Sequence, residues 1–95
     1  MSKDLIEKIR KILKGKPVKR AYLFGSSVRE EEDNINDIDI LVELDYTKPI
    51  GLAFVRMKLE LEETLGKDVD LVTSKSLSKY VKPFIEEEKI LIYER

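Results

Sequence analysis

The chain has 95 residues, 42% of them apolar, which suits one domain spanning residues 1–95 around a single small core. It contains neither cysteine nor histidine, which excludes disulfides and thiolate or imidazole metal sites, so any metal must bind to oxygen ligands, as Mg²⁺ and Mn²⁺ prefer. The net charge of −1 argues against polynucleotide binding as the main task, because proteins that bind phosphate backbones usually carry a basic excess.

The sequence predicts neither a membrane span nor a signal peptide. It has no run of about 18 apolar residues, and Met1-Ser2-Lys3-Asp4 is not followed by an apolar stretch. With the absence of cysteine, these features predict a cytoplasmic protein. The net charge predicts that it does not bind nucleic acid strongly. Because histidine is absent, any general base must be a carboxylate or a lysine.

The first half of the chain predicts two helices and two strands. Apolar residues at helical spacing cover residues 4–13, and residues 18–24 are rich in the β-branched and aromatic residues of strands. A short helix capped by a serine is expected over residues 26–32, followed by a polar loop over residues 33–36. Over residues 37–44 the apolar residues recur with a period of two, which predicts a second strand: Ile38, Ile40, Val42 and Leu44 alternate with Asp37, Asp39, Leu41 and Glu43.

The second half continues the alternation of helices and strands. One apolar helical face runs over residues 50–65, and residues 69–73 form a short apolar strand. Residues 77–85 predict one or two short helices interrupted at Pro83, and residues 90–93 a final strand. The pattern predicts an α/β (α+β) domain, a small mixed β-sheet with helices packed on it.

Asp37 and Asp39 stand two residues apart in a predicted strand, so their side chains lie on the same face. Aspartate is depleted in strands, and neighbouring like charges repel. A divalent cation between the two carboxylates would turn this repulsion into binding energy, which makes the pair a candidate metal site. Taken alone, the pattern is more often the polar face of a half-exposed strand.

Two further features lie near this pair in the predicted fold. Gly25-Ser26 follows a strand and begins a helix, a place where backbone N–H groups and a serine hydroxyl can bind phosphate, although it is also an ordinary capped turn. Asp70 is a lone acid in an apolar strand, which is typical of an exposed edge strand when read by itself. If that strand pairs beside residues 37–44, three carboxylates and an anion cradle meet, as in a metal–triphosphate site.

These residues together resemble the nucleotidyltransferase superfamily that includes DNA polymerase β, and most closely its minimal nucleotidyltransferases. In that family Gly-Ser is followed by ten residues and then Asp-x-Asp, and the same spacing separates Gly25-Ser26 from Asp37-Ile38-Asp39. The stretch from Leu23 to Arg29 is similar to the family's hydrophobic-hydrophobic-Gly-Ser-x-Ala-Arg. Departures occur where Val28, Glu30 and Asn36 replace the usual alanine, glycine and serine, and none removes a metal ligand.

The resemblance implies a site for Mg²⁺ and ATP. Asp37 and Asp39 would hold two Mg²⁺ ions, and Asp70 would complete one of them close to where a substrate hydroxyl loses its proton. Gly25 and Ser26 would bind the β- and γ-phosphates, and Arg29 would contact phosphate. The hydroxyl would attack the α-phosphorus, with pyrophosphate as the leaving group.

By the same resemblance, the chain is expected to be the antitoxin of a toxin–antitoxin pair. Such minimal nucleotidyltransferases stand beside a small helical HEPN-type toxin, and some transfer AMP to its tyrosine. One alternative is a binding module that neutralises a partner by surface burial. Another is a small-molecule nucleotidyltransferase, which needs an acceptor pocket that a chain of 95 residues would form only as a homo-oligomer. A third is a plain acidic scaffold.

Overall fold

Helices and strands alternate along the chain in the computed structural model, which describes the backbone of residues 1–95 and every side chain except that of Glu32. Besides two short 3₁₀ turns at residues 32–34 and 74–76, the structure has four helices and four strands. The helices are α1 (Lys3–Leu13), α2 (Ser26–Arg29), α3 (Ala53–Leu65) and α4 (Lys82–Glu88). The strands are β1 (Val18–Leu23), β2 (Asp37–Leu44), β3 (Asp68–Thr73) and β4 (Ile90–Glu94).

The four strands form one mixed sheet in the order β3-β2-β1-β4. Strand β1 is antiparallel to both β2 and β4, whereas β2 and β3 are parallel and are joined through α3. A parallel pair requires such a crossover, because the chain must return to the same end of the sheet before the next strand begins. The predicted mixed sheet with packed helices is therefore confirmed.

The hydrophobic core lies on one face of the sheet, under α1 and α3. Ile9 of α1 and Met57 of α3 are fully buried there. Strand β2 contributes every second side chain to this core, which directs the alternating polar residues to the opposite face. The alternation on β2 includes Ile38, Ile40, Val42 and Leu44. None of the described helices is long and apolar enough to cross a membrane.

The prediction of one or two short helices over residues 77–85 was right about a short helix but wrong about its bounds and about the interruption at Pro83. The structure has a single helix there, α4, and Pro83 lies in its first turn instead of interrupting it. Proline is tolerated at that position because its missing N–H has no partner within the helix. Tyr80 and Phe84 imitate a buried helical stripe in the sequence, yet they are 75% and 72% exposed, and Ile85 alone is buried among the residues of α4.

Smaller differences concern the segment between β1 and β2. Helix α2 ends at Arg29, and no side chain caps it, because the residue at its N-terminal boundary is Gly25. The segment predicted as a polar loop contains Ile35, which is 3% exposed and joins the core. A single apolar residue between polar neighbours shows no period, so its burial is not visible in the sequence.

Candidate active site

The parallel pairing of β2 and β3 brings the predicted acids together. Asp39 is the register partner of Asp70, and Asp37 is the partner of Asp68. Neighbouring strands lie about 4.8 Å apart, and register partners in a parallel pair present their side chains to the same face. Asp37, Asp39 and Asp70 therefore share the face opposite the core, as the sequence predicts. Sequence reasoning missed Asp68, although Asp68-Val69-Asp70 repeats the spacing found on β2.

The carboxyl of Asp39 is influenced by burial and by its charged neighbours on this face. Partial burial raises the pKa of its carboxyl above the usual value, and the negative charges of Asp70 and Asp37 raise it further. The backbone N–H of Ser26 donates a hydrogen bond to the carboxylate, and this bond together with the positive charge of Arg29 opposes the rise of the pKa. All four neighbours belong to the set of residues predicted for the site. The site thus places negatively charged neighbours around one half-buried carboxylate.

Gly25 connects the end of β1 to this carboxylate. Its φ of 61° and ψ of −141° lie in a region that side chains with a Cβ rarely adopt. A Cβ added to Gly25 would lie 2.6 Å from Oδ2 of Asp39, well inside van der Waals contact. Glycine is required here by the backbone conformation and by the close approach of the carboxylate.

Ser27 fixes the backbone of Asp39 from the same turn. Its hydroxyl oxygen accepts a hydrogen bond of 2.8 Å from the Asp39 N–H, and Ser27 is 1% exposed. Phe24 adds a second link, because its N–H donates to the carbonyl of Asp39 at 3.2 Å. The glycine turn and the strand with the acids are therefore joined directly. This role of Ser27 is not visible in the sequence, where Ser26 and Ser27 are equivalent candidates for a helix cap, because a contact across 12 residues leaves no local pattern.

The groups predicted to bind phosphate lie together at the same turn. The Gly25 N–H donates to Oε1 of Glu88 at 2.8 Å, and the Arg29 guanidinium donates to Oε2 of the same residue at 2.6 Å. Glu88 is the last residue of α4, and the sequence analysis did not single it out. Two predicted phosphate donors thus converge on one carboxylate, which shows that their arrangement accepts an anion.

The donor set fits Mg²⁺. Carboxylate oxygens are the ligands that this ion prefers. Burial, and then the charges of Asp70 and Asp37, raise the pKa of Asp39, and a bound cation would favour the ionised form of these carboxylates. Among the described side chains, as they stand, no three acids come close enough to ligate one ion. The assignment of Asp37, Asp39 and Asp70 as metal ligands stays a prediction.

Comparisons with known proteins agree with this geometry. The family model described as polymerase beta, nucleotidyltransferase matches residues 7–95. A candidate protein adenylyltransferase of Methanocaldococcus jannaschii is 45% identical over 87 residues, which cover 92% of this chain and 92% of that protein.

Solved structures share the fold. A chain from a crystal structure of a toxin–antitoxin with AMP-PNP is 29% identical with a TM-score of 0.75, and the match covers 95% of this chain and 73% of that one. A chain from the tri-AMPylated Shewanella oneidensis HEPN toxin in complex with the MNT antitoxin is 26% identical with a TM-score of 0.74, over 100% of this chain and 74% of that one. The predicted resemblance to minimal nucleotidyltransferases is confirmed. The chain belongs to the polymerase beta nucleotidyltransferase family and is a nucleotidyltransferase.

Proposed function

We propose that the protein is a Mg²⁺-dependent protein adenylyltransferase that transfers AMP from ATP to a tyrosine of a small helical HEPN-type toxin, as the antitoxin of a toxin–antitoxin pair. The relation to a candidate protein adenylyltransferase supports the reaction. The relation to complexes of a toxin with its antitoxin, one with AMP-PNP and one with an AMPylated toxin, supports the nucleotide and the partner. The proposal treats residues 1–95 as one catalytic domain and places it in the cytoplasm, where ATP is available.

The close approach of Asp39 to Gly25 carries this proposal. A triphosphate bound to a metal needs carboxylates for the ion and backbone donors for the phosphates at adjacent positions. Here the carboxylate of Asp39 lies so near the turn that a Cβ on Gly25 would be 2.6 Å from it. The carboxylate of Asp39 can therefore bind the ion while the adjacent Gly25 turn binds the phosphate.

Each site residue has a defined part in the proposal. Asp37, Asp39 and Asp70 hold Mg²⁺, which when bound neutralises charge on the attacking and leaving oxygens. Gly25 and Ser26 bind the β- and γ-phosphates through the N–H of Gly25 and the hydroxyl of Ser26. The guanidinium of Arg29, whose side chain is 64% exposed, contacts phosphate.

The reaction is an in-line displacement at the α-phosphorus. The tyrosine oxygen forms a bond to this phosphorus while the bond from the phosphorus to the bridging oxygen breaks, and pyrophosphate leaves with the electron pair. The tyrosine proton passes to a carboxylate, which we assign to Asp70 because the chain has no histidine. Asp70 is exposed on β3, an edge strand of the sheet, so a protein acceptor can reach it.

The test uses a purified small helical HEPN-type toxin as the partner, and a reading frame next to the one for this chain is the first place to look for it. After incubation with ATP and Mg²⁺, mass spectrometry is expected to show the partner heavier by AMP, with release of pyrophosphate. The double variant Asp37→Ala with Asp39→Ala is expected to abolish the transfer. Glu63→Ala, an exposed acid on α3, serves as the control and is expected to leave the transfer intact. Replacing the modified tyrosine of the partner with phenylalanine is expected to remove the added mass.

The same experiment separates catalysis from neutralisation by burial alone. Toxin activity is measured after incubation with the wild-type protein and with the double variant. Under the proposal, the wild-type protein silences the toxin and the double variant does not. Equal neutralisation by both proteins, without any change in toxin mass, would mean that the chain is a non-catalytic binding module.

A further inference from the structure

Glu88 occupies the donors that the proposed function assigns to the triphosphate. Its two carboxylate oxygens accept from the Gly25 N–H at 2.8 Å and from the Arg29 guanidinium at 2.6 Å. The contact joins the C-terminal end of α4 to the turn after β1, across 63 residues of chain. The Glu88 side chain is 27% exposed, so the carboxylate is partly withdrawn from water.

A carboxylate and a phosphate cannot share these donors. The Gly25 backbone N–H has one hydrogen to donate, and Glu88 already accepts it. A phosphate brought to the same place would also meet the negative charge of Glu88 at short range, which is strongly unfavourable in a partly buried site. Binding of Glu88 and binding of a phosphate at the turn are therefore mutually exclusive.

We infer that Glu88 acts as an internal competitor of the nucleotide, holding the Gly25–Arg29 anion site in the free protein until the triphosphate displaces it. This inference rests on the proposed function. Because of this competition, the apparent nucleotide affinity equals the intrinsic affinity multiplied by the fraction of molecules in which Glu88 is released. It also makes the end of α4 change its contacts when ATP binds, so nucleotide binding and the position of α4 are coupled.

Calorimetry with a non-hydrolysable ATP analogue and Mg²⁺ tests the competition. Glu88→Gln keeps an oxygen acceptor for Gly25 but removes the charge that pairs with Arg29, so it is expected to bind the analogue about tenfold more tightly than the wild-type protein. Glu87→Gln is the matched control, because it makes the same charge change at the neighbouring exposed position. It is expected to bind the analogue as the wild-type protein does.

The outcomes separate this inference from the proposed function. If the wild-type protein binds the analogue and Glu88→Gln binds it no more tightly than Glu87→Gln, the competition is absent and the inference fails. Weaker binding by Glu88→Gln would likewise overturn the inference, because Glu88 would then assist the nucleotide. If neither the wild-type protein nor any variant binds the analogue, the proposed function fails, and the inference fails with it.

A second measurement observes displacement of Glu88 directly. The chain has four glycines, so protein labelled with ¹⁵N-glycine gives four backbone amide signals. The Gly25 signals of wild type and Glu88→Gln are expected to differ in the free proteins and to converge at saturation with the analogue, when phosphate replaces residue 88 in both. Gly66, which lies at the end of α3, is the internal reference. Gly25 signals that stay apart at saturation would show that Glu88 is not displaced.

Discussion

Gly25 and Asp39 lie so close together that the carboxylate of Asp39 leaves no space for a methyl group on the Cα of Gly25. A Cβ on Gly25 would be 2.6 Å from Oδ2 of Asp39 and 3.4 Å from its Cγ. The backbone of Gly25 also has a positive φ of 61°. The contact therefore depends on glycine for two separate reasons, conformation and space.

Gly25→Ala is expected to lower the free energy of unfolding and to weaken nucleotide binding. The strained backbone alone costs on the order of 1–3 kcal/mol, and the clash with Asp39 adds to that cost or displaces the carboxylate. Gly66→Ala is the reference for a positive φ alone, because Gly66 has φ 67° and ψ 24°, in the left-handed helical region, with no atom within 4 Å of its added Cβ. The additional loss at Gly25 then reports its ψ of −141° and the clash together. Urea unfolding of both variants measures the difference, and equal losses of stability would contradict the predicted clash.

Mg²⁺ binding is expected to require both acids of β2. In the presence of a non-hydrolysable ATP analogue, calorimetry should show Mg²⁺ or Mn²⁺ binding to the wild-type protein and little or none to Asp37→Ala or Asp39→Ala. The reason is that both side chains lie on the face next to the Gly25 turn. Binding of metal by Asp39→Ala with wild-type affinity would remove Asp39 from the metal site.

Asp39→Asn is expected to keep the fold and to raise the metal-free melting temperature at neutral pH. Burial and the charges of Asp70 and Asp37 disfavour the ionised form of Asp39, so a neutral isostere relieves the repulsion, by up to about 1 kcal/mol. The amide oxygen can still accept the hydrogen bond from Ser26. Calorimetric scans check the sign, and a marked fall in melting temperature would mean that the acid supports the fold.

Unlike Asp39, Asp45 is expected to stabilise the fold when it is ionised, and this stabilisation is expected to be lost in acid. Oδ2 of Asp45 accepts from Arg95 at 2.7 Å and Oδ1 accepts from the Thr47 backbone N–H at 3.1 Å, and these bonds hold the pKa of the carboxyl far below its usual value. Its contribution to stability is complete above the unfolded pKa of about 3.9 and is lost as pH falls below that value. Urea unfolding at several pH values should show the wild type losing its advantage over Asp45→Asn in that range. An advantage that does not change with pH would contradict the pKa shift.

Weak binding of nucleic acid is also expected. The net charge of −1 provides no electrostatic attraction to a phosphate backbone, and the adjacent cations Lys19 and Arg20 are too few to compensate. Moreover, Arg20 is paired with Glu43 and Glu94. A filter-binding assay with duplex DNA and RNA at physiological salt measures this property, and submicromolar affinity would disprove the prediction.

The sequence predicts those features whose cause is local. Strand β2 is predicted because Ile38, Ile40, Val42 and Leu44 recur with a period of two. The Gly25-Ser26 turn is predicted because glycine and serine follow a strand-like run. The pairing of Asp39 with Asp70 is anticipated only once β2 and β3 are assumed to be neighbours. That order within the sheet depends on contacts between distant segments, which no periodicity encodes.

The features that escape sequence reasoning depend on tertiary contacts. Phe84 looks like a core residue by spacing but is exposed, whereas Ile35 lies in a polar stretch and is buried. Glu88 is one of three consecutive glutamates at the end of α4, and only the folded chain places it, and not Glu87, on the Gly25 turn. The position of Glu88 on the Gly25 turn therefore depends on the packing of α4 and is not visible in the local sequence.

The two faces of β2 can change independently, because one packs in the core and the other carries the acids. Ile38 and Ile40 belong to the core, whereas Asp37 and Asp39 face away from it, and Asp39 ionises there against its surroundings. A lineage that no longer needs catalysis can replace these acids without disturbing the packing beneath them. Under the proposed function, loss of Asp37, Asp39 or Asp70 in a relative with the same core would mark an early step towards a purely structural role.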